Sequence, residues 1–310
     1  MSVIKVEDIA YVRFSAPELD SVKAFFEDFG LVAAEASSDG VLRMRAAGTE
    51  PYVYVCEQGP PGFVSVALRA SSLEDLHILS QAERVPVDDL DGPAGGRVVR
   101  LLDPDGFRVE IVAGQTRAST RPLPVASGWN FGATRSRHGA PKRLTPGPSS
   151  VLRLGHLVLL VGDLASSWTW WQDRFGLLAS DDVRAPDGAQ AAVFARCDRG
   201  SEPVDHHTIN LAAVPGKSPQ FHHAAFEVAD LDSLWTGHNH LLQKGYRHSW
   251  GVGRHVLGSQ VFDYWLDPFG NRVEHWTDGD LFPASALTNV TDLPTMLGHQ
   301  WGPPAPDGFV

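Results

Sequence analysis

A carboxylate on an apolar strand is expensive to bury without a partner, and Glu274, between Val273 and Trp276, is placed that way. On its own it could pair with an arginine such as Arg272 or Arg254. A metal ion would satisfy it too, and two upstream histidines suit that reading. His156 sits mid-strand in Leu154-Gly155-His156-Leu157-Val158, and His223 opens the apolar run His223-Ala224-Ala225-Phe226. Either histidine alone reads as a hydrogen-bonded core residue. Together, two imidazoles and a carboxylate from three strands facing one hollow make a facial ligand set. Such a set leaves coordination positions open and suits Fe(II), with Mn(II) accepted by the same donors.

The elements that must position these residues read clearly. Phe262, Tyr264 and Leu266 alternate with Asp263, Trp265 and Asp267, a period-two strand. Asp267-Pro268-Phe269-Gly270-Asn271 is a turn, and Arg272-Val273-Glu274 begins the return strand. The same pattern occurs earlier: Leu102-Asp103-Pro104-Asp105-Gly106-Phe107-Arg108-Val109-Glu110. The segments ending in Phe29-Gly30-Leu31 and Phe175-Gly176-Leu177 also match, each a strand followed by an amphipathic helix. The chain is therefore an internal repeat. It divides into four strand–helix–strand units in two halves, an α+β fold of four βαβββ modules paired into two domains. Each domain is expected to curl a mixed sheet around a concave pocket. The expected boundaries are 1–118 and 151–283, with a Pro-, Gly-, Ser- and Arg-containing linker at 119–150. A Pro-rich tail, 284–310, is expected to pack over the outside.

The repeat supplies an internal control. Sliding one half on the other puts Tyr11 where His156 stands, Ser65 where His223 stands and Glu110 where Glu274 stands. A phenol, a hydroxyl and one carboxylate do not make a comparable metal site. The first half reads as scaffold and the second as the working half.

Composition narrows the function classes. The 310 residues are 43% hydrophobic and 20% charged, with a net charge of −11. An acidic chain is a poor partner for nucleic acid or anionic membranes. Two cysteines argue against a disulfide scaffold or a thiolate metal site. No apolar run approaches a membrane span and the first residues lack a signal-peptide core, so a cytoplasmic location is expected. Thirteen histidines, including the pairs His206-His207 and His222-His223, fit a metal-dependent protein.

The C-terminal half carries a further signature: Gly253-Arg254-His255, then Tyr264, Asp267-Pro268, Gly270 and Glu274. In this the chain resembles the two-domain (type I) extradiol ring-cleavage dioxygenases of the vicinal oxygen chelate superfamily. The resemblance runs from about residue 8 to 282. It departs at Asp263, where the family usually has an apolar residue before the tyrosine. The resemblance implies a glyoxalase-like fold and His156, His223 and Glu274 as ligands of Fe(II), with Mn(II) as the substitute. O2 would be the co-substrate and a small aromatic diol the substrate, cleaved beside its two hydroxyls to a semialdehyde-type acid. It implies His207 as the acid–base residue, with His206 as a rival, and Tyr264 and His255 as the other catalytic residues. It also implies a homo-oligomer. Neutral imidazole exchanges protons near pH 7, which suits His207 to taking a proton from a bound diol and returning it later.

The remaining candidates have plainer readings. His238 and His240 are expected on the solvent face of a helix, and His275 on the sheet face opposite Glu274. Trp250, Trp265 and Trp276 suit either a pocket wall or a core, and Asp263 either the pocket or the other face. Two rival functions share the scaffold: a metal-dependent isomerase or lyase of the same superfamily, and a metal-free module that binds an aromatic ligand.

Overall fold

The computed structural model describes residues 2–34, 40–123 and 128–309. Linker residues 124–127 lie outside the described residues. The other linker residues from 119 to 147 are mostly exposed and almost without regular structure.

Each of the four units folds as strand, helix and three further strands of its main sheet, and the third also carries the short strand Val204–Asp205, which pairs outside that sheet. The first shows why. Val22, Phe25, Phe26 and Phe29 recur at helical spacing, and all four are buried on one side of helix Leu19–Phe29. Gly30 ends the helix at φ 118°, a left-handed conformation that glycine adopts readily. Helix Leu164–Phe175 repeats the design, capped by Asp163 and closed by Gly176.

Units pair within each half. The first two form an eight-stranded sheet through the antiparallel pairing of Val6–Ala16 with Gly62–Ala70. The last two form a ten-stranded sheet through Val151–Leu160 and Gln220–Val228. The registers agree between halves. Tyr11 lies opposite Ala67 and Ala67 opposite Glu110. His156 lies opposite Ala225 and Ala225 opposite Glu274. One apolar core runs through both sheets, with Phe221 stacked on Phe63 and Phe226 edge-on to Phe29. Among the described residues no helix is long and apolar enough to cross a membrane. Cys56 and Cys197 are buried and free.

The repeated Asp-Pro turn explains how the two glutamates are placed. The Asp267 carboxylate accepts hydrogen bonds from the Phe269 and Asn271 amides, and Gly270 takes φ 89°. The Asp103 carboxylate accepts from Asp105 and Phe107, with Gly106 at φ 86°. Each turn locks the strand after it, and so the glutamate on that strand.

The tail departs from expectation. It adds edge strands to the ten-stranded sheet, Asn289–Asp292 beside Leu178–Arg184 and His299–Trp301 beside Arg247–His255. It then turns inward, so that Phe309 is only 9% exposed.

Candidate metal centre and its pocket

His156 is held mid-strand and His223 two residues before the Ala225 that pairs with it. Glycine is needed at position 155. A Cβ there would lie 2.5 Å from the Trp276 ring, which packs beside His156. Glu274 projects from strand Arg272–Thr277 between the two imidazoles. Its Oε2 is 3.3 Å from His156 Nε2 and 3.4 Å from His223 Nε2. The donor atoms of all three residues fall within 4.8 Å of one another.

The electrostatics of this cluster are unbalanced. Glu274 is wholly buried, and neither of its oxygens accepts a hydrogen bond. His156 Nδ1 is likewise unpartnered. Neither Arg272 nor Arg254 serves Glu274: Arg272 donates to the Phe309 carbonyl and Arg254 to Asp278. Burial pushes the Glu274 carboxyl well above its ordinary range and drives the His156 imidazole down to about 3. Two buried imidazoles facing a carboxylate that has no hydrogen-bond partner are a donor set that fits a divalent cation.

Three further groups face the same space. The His207 ring lies 4.1 Å from the His156 ring, centroid to centroid. It sits in the loop just before strand Ile209–Ala212. Burial holds it well below the ordinary imidazole range. His206 is turned away and bonded through Nε2 to Asp181. Tyr264 Oη and His255 Nε2 share a 2.9 Å hydrogen bond, and His255 Nε2 is 4.0 Å from Glu274 Oε1. His222 does not join the cluster, because its Nε2 meets the Phe309 carbonyl at 2.7 Å.

The pocket over this cluster is mainly apolar, walled by side chains that include Leu160, Phe194, Trp250, Leu257 and Phe309. Trp250 is thus a wall residue, whereas Trp265 and Trp276 are buried in the sheet. The sequence reading missed Asn210 and Phe309. Asn210 is 5% exposed on a pocket-lining strand, with its Oδ1 unpartnered. A polar residue inside the apolar run Ile209–Ala212 was the available signal. Phe309 carried none.

On the opposite face, two expectations need correction. His238 and His240 do not simply face solvent. His238 Nδ1 contacts the buried Asp263 carboxylate at 3.1 Å, and His240 Nε2 contacts Asp28 at 2.7 Å. Each finds an acid that sits far away in sequence or on another element, which helical spacing alone cannot reveal. Asp263 points away from the pocket. His275 also lies on that far face, its Nε2 2.8 Å from the Phe29 carbonyl.

Comparison with known proteins agrees with this geometry. Residues 153–275 match the Glyoxalase/Bleomycin resistance protein/Dioxygenase superfamily. Metapyrocatechase 2 of Cupriavidus necator is 29% identical, over 98% of this chain and 92% of its own length. The 2,2',3-trihydroxybiphenyl dioxygenase of Sphingomonas paucimobilis is 27% identical, over 97% of this chain and all of its own. Homoprotocatechuate 2,3-dioxygenase of Brevibacterium fuscum has a similar fold, with a TM-score of 0.81 at 18% identity, covering 99% of this chain and 92% of that one. A Mn(II)-bound glyoxalase from Novosphingobium aromaticivorans superposes at 0.79 with 23% identity, over 97% and 93%. Residues 153–275 are therefore a domain of the glyoxalase and dioxygenase superfamily, and the chain as a whole is a homologue of the extradiol dioxygenases and shares their fold.

Proposed function

We propose that the chain cleaves a catechol-type ring beside its hydroxyls, using O2 and an Fe(II) ion held by His156, His223 and Glu274, with Mn(II) as an acceptable substitute. The observation that carries this reading is the unsatisfied Glu274 carboxylate facing two imidazole nitrogens at 3.3 and 3.4 Å. When bound there, the ion supplies Lewis acidity that lowers the pKa of a coordinated diol, and open positions for diol and O2.

The protein's own groups have distinct tasks in this reading. His207, kept neutral by burial, takes a proton from the diol and later returns it. The Tyr264 hydroxyl donates to the substrate oxygen on its side, and His255 orients that hydroxyl through their 2.9 Å bond. The apolar wall, which includes Trp250 and Phe309, keeps water from the reacting atoms. Among the described residues no lysine or arginine lines the pocket, so a substrate carboxylate would find no counter-charge. The substrate is therefore a catechol with a neutral substituent. The unpartnered Asn210 Oδ1 would accept a hydrogen bond from a donor on that substituent.

The test is anaerobic reconstitution with Fe(II), addition of neutral and carboxylated catechols, and admission of O2. One O2 consumed per ring and a yellow ring-opened product are expected with neutral catechols. Stoichiometric metal binding with no O2 uptake across the panel would instead favour an isomerase or lyase.

A further inference from the structure

We propose that the chain holds a second divalent-cation site of the zinc class, on the far face of the catalytic-half sheet, made by His238, His248 and Asp263. Three separate elements bring these residues together: helix Leu231–Gln243, strand Arg247–His255 and strand Val261–Leu266. Their donor atoms lie within 4.8 Å of one another, as in the pocket cluster. His248 Nε2 is 2.8 Å from Asp263 Oδ1, and His238 Nδ1 is 3.1 Å from both carboxylate oxygens. A nitrogen equidistant from the two oxygens is not aimed at either, as a single directed hydrogen bond would be.

The surroundings are those of a ligand set. The Trp265 indole donates to Asp263 Oδ2 at 2.6 Å, which leaves Oδ1 turned toward the imidazoles. Such a hydrogen bond fixes the orientation of a coordinating carboxylate. Gly251 lies against Asp263, where a Cβ would come within 3.0 Å of both its Cα and Oδ1. The carboxylate is fully buried, and its polar neighbours are the two imidazoles and the Trp265 indole. His248 retains 25% side-chain exposure and His238 12%, which leaves a solvent side for ion entry and a water ligand. Two imidazoles, one carboxylate and a water are a tetrahedral zinc set.

Asp263 is also the residue at which the motif departs from the family pattern, and the pocket chemistry makes no use of it. Ion binding replaces the shared protons of the cluster. Each facing nitrogen gives up the proton it donates to Asp263 and presents a lone pair instead; a neutral ring then carries its proton on the other nitrogen, and a cationic ring releases one proton to solvent. Without an ion, the same three residues are a hydrogen-bonded cluster, and metal stoichiometry separates the two.

The full chain, stripped with chelator and dialysed against Zn(II), is read by elemental analysis beside three variants: Glu274→Gln, His248→Ala, and the double variant. Wild type is expected to hold two equivalents, each single variant one, and the double variant none. Zn(II) should raise the melting temperature of Glu274→Gln but not of the double variant. One equivalent in wild type and none in Glu274→Gln would overturn the second site while leaving the pocket reading intact. One equivalent in wild type, retained by Glu274→Gln and lost in His248→Ala, would sink the pocket reading instead. His248 is partly exposed, so its replacement leaves the core in place, and circular dichroism verifies that.

Discussion

Two carboxylates, Glu110 and Glu274, occupy the same register in the two sheets and meet opposite surroundings. Glu110 accepts hydrogen bonds from Tyr11 Oη and, at 3.2 Å, from Ser65 Oγ, and Arg13 Nε lies 3.6 Å away. Glu274 has imidazoles where those hydroxyls stand, and both its oxygens are unbonded. The fold delivers a buried acid to both places. A phenol, a hydroxyl and a guanidinium satisfy it in one half, and in the other the groups facing it are imidazoles, which suit a bound cation. Burying an unpaired carboxylate costs several kcal/mol, so without a cation the C-terminal half gives up local stability that the N-terminal half keeps.

The largest effect should come from making Glu274 resemble its satisfied twin. Glu274→Gln removes the charge, and His156→Ala removes a donor. Either should abolish catechol-dependent O2 uptake and the Fe(II) bound at this site, as read by an oxygen electrode and metal analysis. A Glu274→Gln protein that retained its iron and turned over normally would break the comparison. Next in size is His207→Phe, which keeps the ligand set and removes the proton acceptor. Turnover should fall by about 10²–10⁴-fold while Fe(II) content stays unchanged. A parallel loss of iron would instead make His207 a ligand.

Much of this was legible because the repeat could be read against itself. The shared turn at Asp103 and Asp267 fixes the register of both glutamates through local hydrogen bonds, and local chemistry is visible in sequence. The βαβββ order followed from period-two and helical patterns in the same way. The tail did not. Phe309 enters the pocket because its carbonyl is held by Arg272 and His222, contacts across dozens of residues that no periodicity encodes. His238 was misread for a related reason. Its helix position predicts exposure, but Asp263 waits beneath it on a strand that pairs elsewhere.

A smaller effect belongs to the satisfied side. Tyr11→Phe deletes one donor to a buried carboxylate and leaves the ring in its apolar setting beside Tyr52. The cost should be about 1–3 kcal/mol of folding stability, measured by urea denaturation, with Fe(II) content and kcat unchanged. A neutral outcome would mean that Glu110 is not held by this hydrogen bond, and the contrast with Glu274 would lose its physical basis.

The smallest expected effect is none at all, and it tests which neighbour decides. Tyr11→His with Ser65→His places two imidazoles around Glu110, reproducing the residue types of the other half in the same register. Metal stoichiometry should nevertheless not rise, because the Arg13 guanidinium stays beside the carboxylate. A cation placed within about 5 Å of that charge is opposed by roughly several kcal/mol even at an effective dielectric near 20. Adding Arg13→Ala should let the engineered site take up one further equivalent of Zn(II). If the two histidines suffice without that change, imidazole donors alone make the difference between the halves. If all three changes fail, the distinction lies in the packing around Glu274 rather than in the residues that face it.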